Sequence, residues 1–186
     1  SGGSNGNNGS LGTPWATLGH AVTAVAQGDT IHMQVGRHTL GAPVDLPVGV
    51  HLTGSGSTSE INCTNTSDWS WCLYLVSGAV NTNGNQSISN LRFTGNGATA
   101  YGAIMVAARG NVSIHDCEFQ DFDDNAVTFD GQAAGGTAEP TVWSQNNSFY
   151  SNLVRNTCKQ QVEGWMSGGL QIGAQQSMRI YDYHLQ

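Results

Sequence analysis

Positive charge is scarce in this 186-residue chain: Lys and Arg number six against thirteen Asp and Glu, and Lys159 is the only lysine. A formal net charge of −7 excludes the dense basic patch that a nucleic-acid surface needs. Charged residues make only 10% of the chain, so the Glu/Lys/Arg-rich composition of long helices and coiled coils is missing. No apolar run approaches 18 residues, which leaves no segment for membrane insertion as a helix. CxxC, HxH and HExxH spacings are absent, and with them zinc knuckles and thioredoxin-type motifs. GSGS at 54–57 reads as a turn, since no phosphate loop or nucleophile elbow surrounds it.

What is abundant is Gly (25) and Asn (16), with many Ser and Thr, the makeup of a β protein with tight turns. Val, Ile, Leu, Phe and Trp recur at strand spacing, enough for one packed domain. The four cysteines are Cys63, Cys72, Cys117 and Cys158. Cys63 and Cys72 enclose the short polar loop TNTSDWSW, which suits a disulfide. Cys117 and Cys158 are either a second bridge or two buried thiols. Six N-x-[ST] sequons, at Asn8, Asn62, Asn65, Asn85, Asn111 and Asn146, mark polar turns. The chain begins at Ser1 with no leader, so a secretion signal is expected to have been removed or left out. The balance favours a secreted or cell-surface location.

Residues 1–29 form a Gly/Asn/Ser lead-in and one short helix. Thr13 offers an N-cap, Pro14 the first helical position, and Trp15, Leu18, Val22 and Val25 an apolar stripe that Gly28 closes. The spacing predicts this helix at about 14–26. Residues 30–186 read as short strands: TIHMQV, GVHLTGSG, CLYLVSG, SISNLRF, GAIMVA, VSIHDCEF, AVTFDG, GGLQIG and MRIYDYHL.

Four segments align within a longer repeat: ISNLRF at 88–93, IHDCEF at 114–119, SQNNSF at 144–149 and IYDYHL at 180–185. Each carries Asn or Asp (Asn90, Asp116, Asn146, Asp182) three residues before a large apolar residue. Intervals of 26, 30 and 36 residues fit a coil with fixed strands and variable loops. In such a stack an Asn or Asp at one corner of each rung satisfies turn backbone. The expected core is Ile88, Leu91, Phe93, Ile114, Phe119, Val127, Phe129 and Ile180.

The opening GTPWATLGHAVTAVAQGDTIHM followed by GVHLTGSGS resembles the start of right-handed parallel β-helix proteins of the pectin-lyase-like type. The resemblance implies an all-β fold, a single-stranded right-handed parallel β-helix of about six rungs capped by a short N-terminal α-helix. It also implies a secreted protein acting on polysaccharide, although this scaffold hosts lyases, hydrolases, esterases and adhesins. The strand MRIYDYHLQ carries no polar cap, so residue 186 is expected to be the edge of a fragment or of an end-to-end self-association contact.

The densest functional candidate runs from His115 to Asp130. With Phe122 pointing inward, Asp121 and Asp123 face out, about 6.6 Å apart if the backbone is extended. Neighbouring carboxylates of this kind titrate apart and supply the acid and base of inverting glycoside hydrolysis. The segment NVSIHDCEFQDFDDNAVTF also resembles the paired-aspartate rung of polygalacturonase-type hydrolases, which puts the catalytic role on Asp123 and Asp124. That family's Asn-Thr-Asp, Gly-His-Gly-Leu and Arg-x-Lys motifs are not matched. The plainer reading is a solvated acidic turn, or one that holds calcium through Asp121 and Asp130.

A lyase would instead need cations: Arg155 and Lys159 as candidate bases, Arg109 and Arg179 as substrate clamps. Trp69 and Trp71 share one face and either stack on sugar rings or cap the core beneath the cysteine loop. Thr128, Asp130 and Gln171 are expected outward on the sheet that the acidic turn feeds, where a glycan would lie. The expected function is cleavage of an acidic polysaccharide by hydrolysis or β-elimination, the alternative a non-catalytic adhesin, surface-fibre or glycan-binding protein.

Overall fold

The computed structural model describes residues 2–67, 69–97, 100–132, 143–157 and 169–186. The chain winds through six coils. The first holds β1 (Thr30–His32), β2 (Gly36–Leu40) and β3 (Val44–Asp45); the second β4 (His51–Thr53), β5 (Ser59–Cys63) and β6 (Trp71–Val76). The third holds β7 (Thr82–Ser89), β8 (Arg92–Thr94) and β9 (Gly102–Ala107), the fourth β10 (Arg109–His115), β11 (Glu118–Gln120) and β12 (Val127–Asp130). The fifth holds β13 (Ser144–Gln145), β14 (Ser148–Tyr150), β15 (Leu153–Arg155) and β16 (Leu170–Gly173). The sixth holds β17 (Gln175–Gln176), β18 (Arg179–Tyr181) and β19 (His184–Leu185).

Equivalent strands pair in parallel into three long sheets: β1-β4-β7-β10-β14-β18, β2-β5-β8-β11-β15-β19 and β3-β6-β9-β12-β16. This is a parallel β-helix. The expected all-β class, the coiled stack and the short helix are all present.

Alternation along each strand sends one residue in two to the centre. Leu52, Ile88, Ile114 and Phe149 stack in register in the first sheet. Ile61, Phe93, Phe119 and Val154 do so in the second. All eight are buried, and the Phe93 and Phe119 rings stack at 5.1 Å. Leu91, Val127 and Phe129 are buried as the pattern requires, whereas Ile180, on the last coil, is exposed.

The helix differs from expectation. It spans Leu18–Ala24, with Thr17 rather than Thr13 as N-cap, accepting from His20 N. The reason lies in the lead-in, which ties down the preceding residues and leaves Thr17 extended at φ −134°, ψ 145°. Asn5 Oδ1 accepts from the Ala16 and Thr17 amides, and the Trp15 indole donates to Asn7 O. Leu18 and Ala21 bury the helix's apolar face on the first coil.

The corner repeat also needs one correction. Asn90, Asp116 and Asp182 do share a corner, between the first and second sheets, each at a positive φ of 55°, 53° and 49°. Their fifth-coil counterpart is Ser151 (φ 52°), because Ile114 pairs with Phe149 and not with Ser144. Asn146 belongs to the preceding corner with Asn85, Asn111 and Ser177, all left-handed as well. Two successive corners of similar chemistry were superimposable in sequence, and only strand register separates them. Asn and Asp serve there because their short side chains make the left-handed region accessible. Segments such as SISNLRF are therefore split into two strands of different sheets.

Candidate functional site

The corner between the second and third sheets carries the longest connections of the second to fourth coils. Its described residues are 64–67 and 69–70 in the second coil, 95–97 and 100–101 in the third and 121–126 in the fourth. These loops are stitched together by main chain. Gly95 N donates to Gln120 O at 3.0 Å, Asp123 N to Ala100 O at 2.9 Å and Asp124 N to Tyr101 O at 3.0 Å. A Cβ on Gly95 would overlap Asp121 O, so only glycine lets the two coils approach this closely.

The Cys63–Cys72 disulfide closes the first of these loops, as its spacing predicts. Trp69 leaves the loop at φ 59° with 60% of its surface exposed, its ring 5.4 Å from that of Tyr101. Trp71 does not share that exposed face. It is 6% exposed, packed edge-on against Tyr101 at 5.0 Å and Tyr74 at 6.2 Å. The difference is strand membership: Trp71 opens β6 opposite Gly102, whose missing side chain makes room for the indole. Trp71 thus caps the core, one of the two expectations for the pair, while Trp69 presents an exposed ring. Trp71 Nε1 is buried with no hydrogen-bond partner among the described residues.

The acidic turn lies beside this aromatic group. Phe122 is fully buried and anchors the turn, which leaves Asp121, Asp123 and Asp124 half-buried at the surface. The strand ends at Gln120 and Asp121 is left-handed at φ 62°, so the extended-strand spacing expected for Asp121 and Asp123 does not apply. Asn156 of the next coil donates to Asp121. Asp130 sits at the far end of β12 from the turn, about 10 Å beyond Val127 at strand rise. Asp121 and Asp130 therefore are not brought together around one ion. Among the described residues no three His, Cys, Asp or Glu side chains converge on a metal position.

On the third sheet's outer face, Thr128 pairs in register with Met105 and Gln171. The alternation does turn Thr128 away from the core, but it is only 5% exposed. Exposed Gln171 covers it, its Oε1 accepting from Thr128 Oγ1 at 3.4 Å and from Asn125 Nδ2 at 3.0 Å.

The arginines among the described residues are engaged or placed as follows. Arg155 pairs with Glu118 and donates to Gln120 Oε1 at 2.6 and 3.0 Å, on the outer face of the second sheet. Arg92 shares the same Glu118 at 2.9 Å. Arg179 is exposed on the first sheet. Arg109, read from sequence as a clamp, is buried and spends its guanidinium on Leu46 O, Val76 O, Gln86 Oε1 and Ser77 Oγ. Burial lowers its pKa to about 10 against a smaller raising effect of Asp45. Lys159 and Cys158 lie outside the described residues, and Cys117 is a free, buried thiol.

Tyr101 and Asn125 are the site residues that sequence reading did not single out. Tyr101 precedes GAIMVA much as Trp71 precedes its own apolar run, and that parallel was the available signal. Comparison with family models, curated proteins and solved structures finds no match for this chain.

Proposed function

We propose that the chain is a secreted carbohydrate-active β-helix protein of the pectin-lyase-like kind, with its glycan lying across the corner between the second and third sheets. One observation carries the reading. The exposed Trp69 ring is held against Tyr101, and the Asp123–Asp124 turn is hydrogen-bonded to that same stretch of chain. An aromatic face stacks on the C–H face of a pyranose, and carboxylate oxygens accept from its hydroxyls. Hydrolysis is the chemistry these groups favour. One of Asp123 and Asp124 protonates the glycosidic oxygen as the bond breaks, and the other takes a proton from the attacking water. β-Elimination draws less support, because Arg109 is buried and Arg155 is engaged with Glu118.

The test is the double variant Asp123→Asn/Asp124→Asn, which keeps shape and removes charge. Reducing-sugar release across a glycan panel should fall by about 10³-fold or more, with the melting transition retained. Release of unsaturated uronate by the wild type would favour a lyase. Glycan binding without any product would make the chain a binding module, and unchanged turnover in the double variant would move the site elsewhere.

A further inference from the structure

Each sheet of a coiled stack begins with a strand whose outer main-chain groups have no preceding coil to bond. Here those strands are β1, β2 and β3, and they are not covered alike. The helix Leu18–Ala24 lies against β3. The lead-in faces β1 and β2 across a cavity of about 540 Å³, whose lining includes every residue from Thr30 to His38. That volume is in the range of ordinary ligand pockets, ~300–1,000 Å³.

The main chain on this side of β1 is free to bond. Asp29 O accepts from His51 N at 2.9 Å, and Met33 N donates to Thr53 O at 2.7 Å. With Ile31 in register with Leu52, residues 29, 31 and 33 turn toward β4. The N–H and C=O groups of Thr30 and His32 therefore point the other way, on the side that the cavity occupies. Among the described residues no strand of the lead-in pairs with them. The lead-in is instead braced on itself. The Trp15 indole donates to Asn7 O at 2.9 Å, and Asn7 Nδ2 donates to Pro14 O at 2.8 Å. A Cβ on Gly9 would fall 2.5 Å from the Trp15 ring, so the loop is packed on Trp15 and stands off from the strands.

The side chains around the opening are apolar and without net charge. Leu11 and Val35, on the rim, are 85% and 68% exposed, while Ile31 and Met33 form a buried floor. No Asp or Glu is among the described residues that line the cavity. Arg37, which does line it, is neutralised by Glu60 at 3.2 Å and donates to Asn62 Oδ1 at 2.6 Å. His32 and His38 are engaged with Ser55 Oγ and Gln34 O. A neutral opening excludes a charged occupant, and a plain hydrocarbon chain would leave the Thr30 and His32 amides unpaired. An extended peptide matches both the apolar rim and the row of main-chain groups.

We propose that this cavity is a strand-docking site: an extended, uncharged segment of a partner protein, apolar at alternate positions, adds to β1 as a further parallel or antiparallel strand. The docked segment continues the interface already made between successive coils, its inward side chain lying over Ile31 as Ile31 lies over Leu52. The inference stands apart from the glycan reading, which concerns another corner of the molecule.

The experiment titrates the whole chain with a short peptide alternating threonine and valine, acetylated and amidated so that it carries no charge. Calorimetry reads affinity, and amide hydrogen exchange by NMR reads the edge. The peptide should bind saturably and slow exchange at the Thr30 and His32 amides at least about tenfold. Its fully N-methylated form keeps the side chains and removes the donors, and should bind at least about tenfold more weakly. Leu11→Asp/Val35→Asp alters two exposed side chains, so the melting transition should be retained while affinity falls about threefold or more. No binding of the peptide overturns the proposal, as does equal binding of its N-methylated form. So do Thr30 and His32 amides that exchange alike with and without peptide. Laurate binding in place of the peptide would make the cavity an apolar pocket and overturn the strand-docking assignment.

Discussion

Replacing Arg109 with Met should destabilise the β-helix and leave ligand affinity unchanged. Arg109 is 4% exposed, and its guanidinium reaches Leu46 O, Val76 O and Gln86 Oε1 at 2.8 Å each, with Ser77 Oγ at 2.9 Å. It therefore ties the fourth coil to groups on the first, second and third. Met matches the length of the aliphatic stem but donates nothing, so buried acceptors lose their partner at ~1–3 kcal/mol apiece. Relief of the buried charge offsets part of this, and the net loss should be ~3–5 kcal/mol. For a chain of this size that is roughly 10 °C in Tm, read by circular dichroism and urea titration. Arg109→Lys should fall between, since one ammonium cannot fork to acceptors on several coils.

The pH dependence follows from the lowered pKa. With the folded value lowered to about 10, below the ordinary arginine value, the unfolded chain binds more protons between the two, so stability gains from this group only as pH rises through that window. Below about pH 9 the group is charged in both states, and the difference between wild type and Met variant should not vary with pH. A loss under ~1 kcal/mol would refute the tie. Weakened glycan binding at unchanged stability would return Arg109 to a ligand-facing role.

Phe119→Ala removes a fully buried ring stacked on Phe93 and should cost ~3–5 kcal/mol in chemical denaturation; a loss below ~1.5 kcal/mol would mean that the stack collapses onto the void. Cys63→Ala/Cys72→Ala releases a bridge closing nine residues of separation and should cost ~2–3 kcal/mol, with Trp69 emission shifting as its loop loosens. Burial pushes the Cys117 thiol up to about 12, so a thiol reagent at pH 8 should react with it only after unfolding. The sign for stability is the reverse of that for Arg109. The folded state holds the Cys117 proton longer, so its contribution is present below about pH 9 and lost as pH rises through about 12. Asn152→Leu should cost ~2–4 kcal/mol, because Asn152 accepts from Cys117 N and donates to Ile114 O at 2.9 Å each, inside the corner.

Some of this was legible because it depends on neighbours in sequence. Alternation places Phe93, Phe119, Val127 and Phe129 inward whatever the coils do, since successive side chains leave a strand on opposite sides. Phe122 is buried and the flanking aspartates are at the surface for a related reason, an apolar anchor in a polar turn. The Cys63–Cys72 bridge spans so short a loop that local geometry brings its ends together. The strands GRHTL and SEINC escaped notice because their outward positions carry Arg37, Thr39, Glu60 and Asn62, which dilute the apolar signal.

Stacking decided the rest, because register between coils is not written in any one of them. Asn146 and Ser151 exchange corners once Ile114 pairs with Phe149, a choice made by which apolar residues fill the interior together. Trp69 and Trp71 have the same local sequence context, yet the absence of a Cβ on Gly102, one coil away, admits only Trp71 to the interior. Arg109 has the composition of a surface cation, but acceptors from three other coils meet it, and four hydrogen bonds hold the charge in a place its own segment would never suggest. The chain by itself determined which residues face in and where it turns, both consequences of local backbone geometry. Which turns lie over one another, and hence that Trp69, Tyr101 and Asp123–Asp124 form one surface, followed only from the pairing of strands 23 to 35 residues apart.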